Sequence, residues 1–151
     1  MMTDFTQTKK TQGGLLFIHA QTALHPGSGT ALGTVDLPIQ RERHTRWPTI
    51  AGSALKGILR DAYRESILDR YSADPPSTAG GKSRREQANN HPELVAIFGP
   101  GEVDESSAHA GALAVTDARI LAYPVRSLRG VFAWVTCRTV LERLKRDLDL
   151  V

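Results

Sequence analysis

The sequence contains almost none of the residue type that builds disulfides and thiolate metal sites. Cys137 is its only cysteine, which excludes an internal disulfide and a metal site formed by several cysteines. Such a composition is typical of a reducing compartment. We expect Cys137 to lie in the core as a small hydrophobic side chain.

Long apolar runs are missing as well. A membrane-spanning helix needs about 18 or more consecutive apolar residues, and no such run occurs in this sequence. Residues 1–13 are polar and charged where a signal peptide would need an apolar segment. These features predict a cytoplasmic protein that does not enter a membrane.

An excess of acidic residues is also absent. The 151 residues include 19 Lys and Arg against 16 Asp and Glu, which gives a net charge of +3 and a pI near 9.3. This balance permits an anionic polymer such as RNA as a partner without requiring one.

The residues that are present predict one domain of mixed helices and strands. A chain that is 40% hydrophobic can form a single core, so we predict one domain over residues 1–151. The spacing of apolar residues predicts strands and helices along this domain. The strands are expected at residues 15–20, 112–123 and 131–136, and the helices at residues 54–70, with Ser53 as the N-cap, and after Cys137.

The connections between these elements are long. Residues 24–49 are punctuated by glycine and proline and predict an ordered loop, whereas residues 72–93 are polar and predict a flexible insertion that has room for a short helix near its end. The order strand, helix, strand, strand, helix is most of a ferredoxin-like β-α-β-β-α-β unit. We therefore predict an α+β fold with long insertions that is incomplete at its C-terminus.

The stretch from residue 25 to residue 60 combines the features of a phosphate-binding surface. A glycine-rich loop is followed by a run of cations and by a helix entrance with a lysine on its first turn. Glycines let backbone amides approach an anion, a helix N-terminus carries partial positive charge, and Lys and Arg add full charges. With a basic turn at residues 124–130, the candidate RNA-binding residues are His25, Gly27, Ser28, Arg41, Arg43, His44, Gly52, Ser53, Lys56, Arg60, Arg126 and Arg129.

Each of these features also has an ordinary structural explanation. The glycine loop matches neither a P-loop nor a dinucleotide fingerprint. The charged residues Arg41, Glu42 and Arg43 alternate in sign, as charges in solvated surface segments do. Trp47 is more simply explained as a core side chain than as a platform for RNA. Asp36 is the single carboxylate between His25 and Gln40, and an aspartate in a loop is usually a turn residue. Neighbouring cations would keep this carboxylate ionised.

Four strings of the sequence resemble a known family. The strings are HPGSG, VDLPIQRERHT, GSALKGILR and TDARILAYPVRSLRGVFAWVTC, and they resemble the Cmr subunit four family. Its members are the backbone subunits of type III-B CRISPR effector complexes and belong to the RAMP superfamily. The resemblance runs over residues 23–137 with a variable gap at residues 72–94. It implies a ferredoxin-like, RRM-related core with insertions, stacked with further copies of itself and other Cmr subunits along a guide RNA.

The resemblance also implies an activity and its residues. By position, Asp36 corresponds to the aspartate on which target cleavage depends in the family, and His25, Gly52, Ser53 and Lys56 match the guide-contacting surface. We therefore expect the protein to bind CRISPR guide RNA and to cut the paired target single-stranded RNA with a divalent metal ion, for which Mg²⁺ is expected. Asp36 is assigned to metal binding or to accepting the ribose 2′-OH proton, and RNA phosphates would complete the coordination.

The sequence departs from the family pattern at three positions. Arg46 stands where the family usually has glycine, and Ala51 and Arg138 each stand where it usually has proline. Family members are also longer than this chain, which corresponds to their N-terminal portion. A missing strand would leave an unpaired apolar edge, so we expect the chain to associate with a partner that supplies it.

Two other interpretations stay open. The first is a non-catalytic structural subunit that binds guide RNA, with the cutting activity absent or supplied by another protein. The second is an inactive, truncated relic of such a subunit.

Overall fold

The computed structural model describes residues 12–29, 38–71, 83–101 and 109–151, and the backbone alone of Ala31–Leu32 and Val35–Asp36. The chain divides into two compact units. One comprises Met1–His25 and Ile120–Val151, and the other comprises Pro26–Arg119. Among the described residues, no helix is both long enough and apolar enough to cross a membrane.

In the unit Pro26–Arg119, the residues that the structure describes form two small antiparallel sheets. Strands β1 (Ala31–Leu32) and β2 (Val35–Asp36) pair as a hairpin. Strand β3 (Thr49–Ile50) pairs with β4 (Ala118–Arg119), which is far away along the chain. The second pairing brings the start of the following helix against the segment that precedes β4.

The described residues of this unit also form three helices. Helix α1 (Gly52–Ile67) continues into a 3₁₀ turn at Leu68–Arg70, and α2 (Arg84–Asn89) and α3 (Pro92–Phe98) follow. Local sequence explains where the short helices begin. Helix α2 starts with a capping box between Ser83 and Glu86, and α3 starts with a proline, whose missing N–H costs nothing at that position.

The core of this unit lies between α1, α2 and α3. Ile67, Ala88 and Leu94 are buried there, and burial of each large aliphatic side chain contributes about 1.5–3 kcal/mol. At the rim, the Tyr63 hydroxyl donates a hydrogen bond of 2.6 Å to Glu93 Oε2. This bond raises the pKa of the Tyr63 hydroxyl and lowers the pKa of the Glu93 carboxyl.

Helix α1 agrees with its predicted position but not with its predicted orientation. The apolar spacing that predicts this helix puts Ile58 on the apolar face and puts Arg64, with Lys56, on a different face. In the structure, Ile58 is 65% exposed, whereas Arg64 is only 6% exposed. Arg64 is buried because its guanidinium pairs with Asp61 at 2.9 Å and donates to Asn89 Oδ1 at 3.3 Å, which joins α1 to α2. The prediction of Ser53 as the N-cap is also wrong, because the helix begins at Gly52.

The unit Met1–His25 with Ile120–Val151 contains a ribbon and a helix. Strands β5 (Tyr123–Arg126) and β6 (Phe132–Val135) form an antiparallel hairpin, and α4 (Arg138–Leu148) follows. Strand β6 and α4 confirm the predictions for these segments. Every residue of both strands is exposed, so the described residues of this unit bury neither face of the ribbon.

Three predictions for this unit are wrong. Residues 15–20 form no strand, because a strand requires a neighbour that takes up its backbone hydrogen bonds. Residues 124–126 belong to β5 and not to a turn, so only residues 127–131 connect the strands. Cys137 is exposed and lies at the N-cap of α4, outside any core.

The observed fold is α+β, as predicted, with small antiparallel sheets and helices. The ferredoxin-like arrangement within this class stays a prediction, as does the single domain over residues 1–151. Within the predicted flexible insertion, α2 forms at the expected end and contributes the buried Ala88 to the core. Residues 72–82 lie outside the described residues, and the flexibility of residues 72–93 stays a prediction.

The three departures from the family pattern occur at positions with particular backbone geometry. Arg46 has φ = 63°, the left-handed region that favours the glycine usual in the family. Ala51 has φ = −59°, which proline also adopts, but its N–H donates to Gln40 Oε1 at 2.9 Å, and proline has no N–H. Arg138 is the first helical residue of α4, where proline is common.

Candidate functional site

Gln40 is the residue that joins the glycine loop to the start of α1. Its side-chain Nε2 donates to the Gly27 carbonyl oxygen at 2.9 Å, and its Oε1 accepts from the Ala51 N–H at 2.9 Å. Its backbone N–H donates to the Pro26 carbonyl at 2.8 Å, and its carbonyl accepts from the Thr49 N–H at 3.1 Å. Gln40 therefore holds three segments together: its side chain joins the glycine loop to the N-terminus of α1, and its backbone carbonyl joins both to the start of β3.

We expect Gln40→Ala to lower the free energy of unfolding by about 1–3 kcal/mol, because it removes two hydrogen bonds and leaves their partners unsatisfied. Urea unfolding followed by circular dichroism measures the loss. Gln21 is an exposed glutamine in the other unit, and Gln21→Ala serves as the control with a change below about 0.5 kcal/mol. Equal stability of the two variants would contradict the role of Gln40.

The glycine loop leads directly into the hairpin that carries Asp36. Gly27 forms an isolated bridge with Ile39, and the Ser28 N–H donates to the Pro38 carbonyl at 2.9 Å. Beyond this base, Asp36 lies in β2 opposite Ala31. The backbone thus places Asp36 on the hairpin that the glycine loop closes. Its side chain lies outside the described residues, so its assignment stays a prediction.

Residues 41–48 form a tight loop that presents the predicted cations. The loop is closed by hydrogen bonds from the Glu42 N–H to the Trp47 carbonyl at 2.8 Å and from the Arg46 N–H to the Glu42 carbonyl at 2.9 Å. Arg43 and His44 lie at the exposed tip. Arg41 donates from Nη1 to the Arg46 carbonyl at 2.9 Å, so it braces the loop as well as adding positive charge.

The position of Glu42 explains why its negative charge does not offset the positive charges at the surface of this loop. Its side chain is only 9% exposed and accepts a hydrogen bond from the Thr45 hydroxyl. His44 Nε2 lies 3.8 Å from Glu42 Oε2, with a side chain that is 76% exposed. The carboxylate therefore points inward as a structural acceptor, while the side chains of Arg43 and His44 face solvent.

The N-terminus of α1 is occupied by a carboxylate from the distant end of the same unit. Asp117 Oδ1 accepts from the Gly52 N–H at 2.8 Å, which satisfies one of the donors that a helix start leaves unpaired. A Cβ at Gly52 would lie 2.3 Å from the Val115 carbonyl oxygen, so glycine permits this close packing. The prediction that Gly52 and Ser53 bind RNA phosphate is untested, and a phosphate would have to share the helix end with Asp117.

Lys56 and Arg60 follow on α1 in different environments. Lys56 is half-buried one turn from the helix start. The Arg60 guanidinium donates from Nη1 to the Gly99 carbonyl beyond α3, and burial, with a smaller effect of Arg64, lowers its pKa. Arg60 thus has a structural contact of its own, and its predicted role as an RNA ligand stays a prediction.

The remaining predicted residues belong to the other unit. His25 is the last residue of the segment Met1–His25 of this unit. Arg126 is the last residue of β5, Arg129 lies in the turn that follows, and both are exposed. The Arg129 N–H donates to the Ser127 hydroxyl at 3.2 Å, which stabilises the turn. Their roles in RNA binding remain untested predictions.

A metal site cannot be built from the described side chains alone. In that part of the chain, no group of three or more His, Cys, Asp or Glu residues is placed to hold a metal ion. The expectation that Asp36 would need RNA phosphates to complete a coordination shell is not tested by this result, because its side chain lies outside the described residues. The preference for Mg²⁺ remains an expectation.

Gln40 and Asp117 are the organising residues that are absent from the predicted set. Both act on backbone groups that come together only in the folded chain, and Asp117 is 65 residues away from its partner Gly52. The only local signal is that each has a hydrogen-bonding side chain. Such a signal is too common to identify a site.

Comparison with protein families gives an extensive match. Residues 17–148 match the family model described as the RAMP superfamily. Among curated proteins, the chain is 45% identical over 136 residues to the CRISPR system Cmr endoribonuclease Cmr4 of Pyrococcus furiosus, covering 90% of this chain and 39% of that protein. It is 30% identical over 104 residues to the CRISPR system Cms endoribonuclease Csm3 of Enterococcus italicus, covering 67% of this chain and 42% of that protein.

Solved structures give the same result at the level of the fold. A crystal structure of Cmr4 matches with a TM-score of 0.52 at 38% identity, covering 83% of this chain and 36% of the other. The structure of oligomeric Cmr4 from Pyrococcus furiosus matches with a TM-score of 0.52 at 40% identity, covering 83% of this chain and 35% of the other. The chain therefore spans well under half the length of the relatives it matches.

Proposed function

Because the chain belongs to the RAMP superfamily, we propose that it is the N-terminal part of a backbone subunit of a type III-B CRISPR effector complex. The observation that carries the proposal is 45% identity over 90% of this chain to a Cmr endoribonuclease. In the proposed function, the subunit binds guide RNA along its backbone and cuts the paired target RNA. Further copies of the subunit and other Cmr proteins would be its partners in the cytoplasm.

The arrangement of the unit Pro26–Arg119 supports binding of the guide by its phosphates. Gln40 ties the glycine loop to the start of α1, and the loop of residues 41–48 turns Arg43 and His44 toward solvent while Glu42 points inward. Positively charged side chains and backbone amides recognise phosphates without reading bases. Sequence would then be read by pairing of the guide with the target.

In the proposed cleavage, the ribose 2′ oxygen bonds to the adjacent phosphorus to form a 2′,3′-cyclic phosphate, and the bond from phosphorus to the 5′ oxygen of the next nucleotide breaks. The step requires a group that accepts the 2′-OH proton, and the departing 5′ oxygen takes up a proton in turn. The proposal assigns this role to Asp36, which the β1–β2 hairpin places next to the glycine loop. General base catalysis of this kind contributes about 10²–10⁴-fold in rate. A divalent cation, for which Mg²⁺ is the candidate, would neutralise charge on the phosphoryl oxygens and would be held by Asp36 together with RNA phosphates.

The metal requirement is tested by removal and replacement. In the assembled complex, EDTA should abolish target cleavage, and added Mg²⁺ should restore it, while guide RNA stays bound. Cleavage that continues in EDTA would contradict the requirement for a metal ion. It would leave the assignment of Asp36 as the base intact.

We expect Lys56→Ala to weaken binding of single-stranded RNA equally for all sequences. One lost phosphate contact should make the slope of log affinity against log salt concentration shallower by about 0.7. Filter binding across a salt series measures this slope. Lys145 is exposed on α4 in the other unit, and Lys145→Ala should leave the slope unchanged. A slope that Lys56→Ala does not alter would make Lys56 an ordinary helix residue.

A further inference from the structure

One face of the β5–β6 ribbon carries a set of side chains that the proposed function has not used. Directly opposed residues of an antiparallel pair point to the same face, as do alternate residues of one strand. Arg126 is opposite Phe132, and Pro124 is opposite Trp134. These four residues therefore share one face, and the remaining ribbon residues, Tyr123, Val125, Ala133 and Val135, lie on the other.

The aromatic rings on this face contact one another. The ring centroids of Phe132 and Trp134 lie 5.7 Å apart at an interplanar angle of 88°, and those of His19 and Trp134 lie 5.8 Å apart at 60°. Edge-to-face contacts of this kind are favourable and fix the orientation of the rings. Phe132 and Trp134 nevertheless remain 52% and 53% exposed. The cluster is thus a fixed aromatic surface that is open to a ligand.

The charge of this region favours an anionic ligand. Residues 120–137 contain two cations, Arg126 and Arg129, and no carboxylate. Both arginines are exposed. Apolar protein partners would be matched by aliphatic and aromatic surface alone. An aromatic surface with adjacent cations instead matches unpaired nucleotides, whose bases stack on rings while their phosphates meet positive charge.

We propose that His19, Arg126, Phe132 and Trp134 form a stacking surface for unpaired bases of single-stranded RNA. The inference rests on the proposed function in that RNA is the partner. It adds a second mode of binding, through bases, to the phosphate contacts assigned to the unit Pro26–Arg119. Because every base has an aromatic face, this surface accepts any sequence.

The test compares two fluorescent oligonucleotides of equal length and charge, a ten-nucleotide oligouridine RNA and its abasic counterpart, in anisotropy titrations at fixed salt. The 151-residue chain should bind the RNA more tightly than the abasic oligomer. The double variant Phe132→Leu with Trp134→Leu should bind the RNA about 10-fold or more weakly, because it removes the rings on which the bases stack. Its affinity for the abasic oligomer should not change.

Tyr123 provides a matched control, because it is an exposed aromatic residue of the same ribbon on the opposite face. Tyr123→Leu should leave both affinities unchanged. A second readout needs no change to the surface itself. Trp47 and Trp134 are the two tryptophans, so in Trp47→Phe the fluorescence comes from Trp134 and should be quenched by the RNA but not by the abasic oligomer.

Three results would contradict the proposal of a stacking surface. Equal affinity for the two oligomers, with a salt slope that still responds to Lys56→Ala, would remove this surface and leave the proposed function standing. Failure to bind either oligomer would overturn both. Loss of self-association in the double variant with unchanged RNA affinity would assign the face to a protein contact.

Discussion

Asp36→Ala is expected to reduce cleavage of target RNA in the assembled effector complex by about 10²–10⁴-fold. The affinity for guide RNA should stay within about twofold, because removal of a negative charge from a cationic surface does not weaken binding to phosphates. Single-turnover cleavage of labelled target RNA measures the first quantity, and filter binding of the guide measures the second.

A control substitution at another aspartate of the same unit distinguishes the loss of the catalytic base from the general loss of one negative charge. Asp69 has a side chain at full exposure and pairs with Arg84 at 3.3 Å in the same unit. Asp69→Ala should leave both cleavage and guide affinity near their original values. If Asp36→Ala cuts target RNA as fast as the unmodified subunit, the non-catalytic structural subunit becomes the better description. Loss of guide binding in Asp36→Ala would instead show that the hairpin itself has been disrupted.

The second large effect is expected at the start of α1. Gly52→Ala should lower the free energy of unfolding by about 3 kcal/mol or more, at the upper end of what overpacking costs. The added Cβ would lie 2.3 Å from the Val115 carbonyl oxygen and 2.8 Å from the Thr116 carbonyl carbon. Both contacts are to backbone atoms, so no side-chain rotation relieves them, and the hydrogen bond from Gly52 to Asp117 would be lost in the displacement.

Gly57 offers the same substitution on the same helix with the opposite expected sign. A Cβ at Gly57 meets no atom within 4 Å, and glycine inside a helix is less stable than alanine by about 0.5–1 kcal/mol. Gly57→Ala should therefore stabilise the protein by about that amount. Urea unfolding of the two variants measures both effects. Similar stability in the two variants would show that α1 does not pack against residues 115–117 as described.

Elements whose signals are local could be predicted from the sequence. Helix α4 and strand β6 follow from the spacing of their apolar residues, and α1 lies where its periodicity predicts. The family resemblance also rests on local strings. The match of residues 17–148 to the RAMP superfamily and the 45% identity to a Cmr4 endoribonuclease confirm it. Arg46 adopts a backbone conformation that favours glycine, and the sequence alone shows that it stands where the family usually has glycine.

What the sequence by itself determined is therefore the class of the fold, the family and the segments of strong periodicity, because these depend on neighbours along the chain. The tertiary structure alone decided that Arg64 is buried while Ile58 is exposed, that residues 15–20 are not a strand, and that Gln40 and Asp117 organise the start of α1. Each of these depends on a partner far away in sequence. A hydrogen bond or a buried face has its energy only when that partner arrives, so no local pattern of residues specifies it.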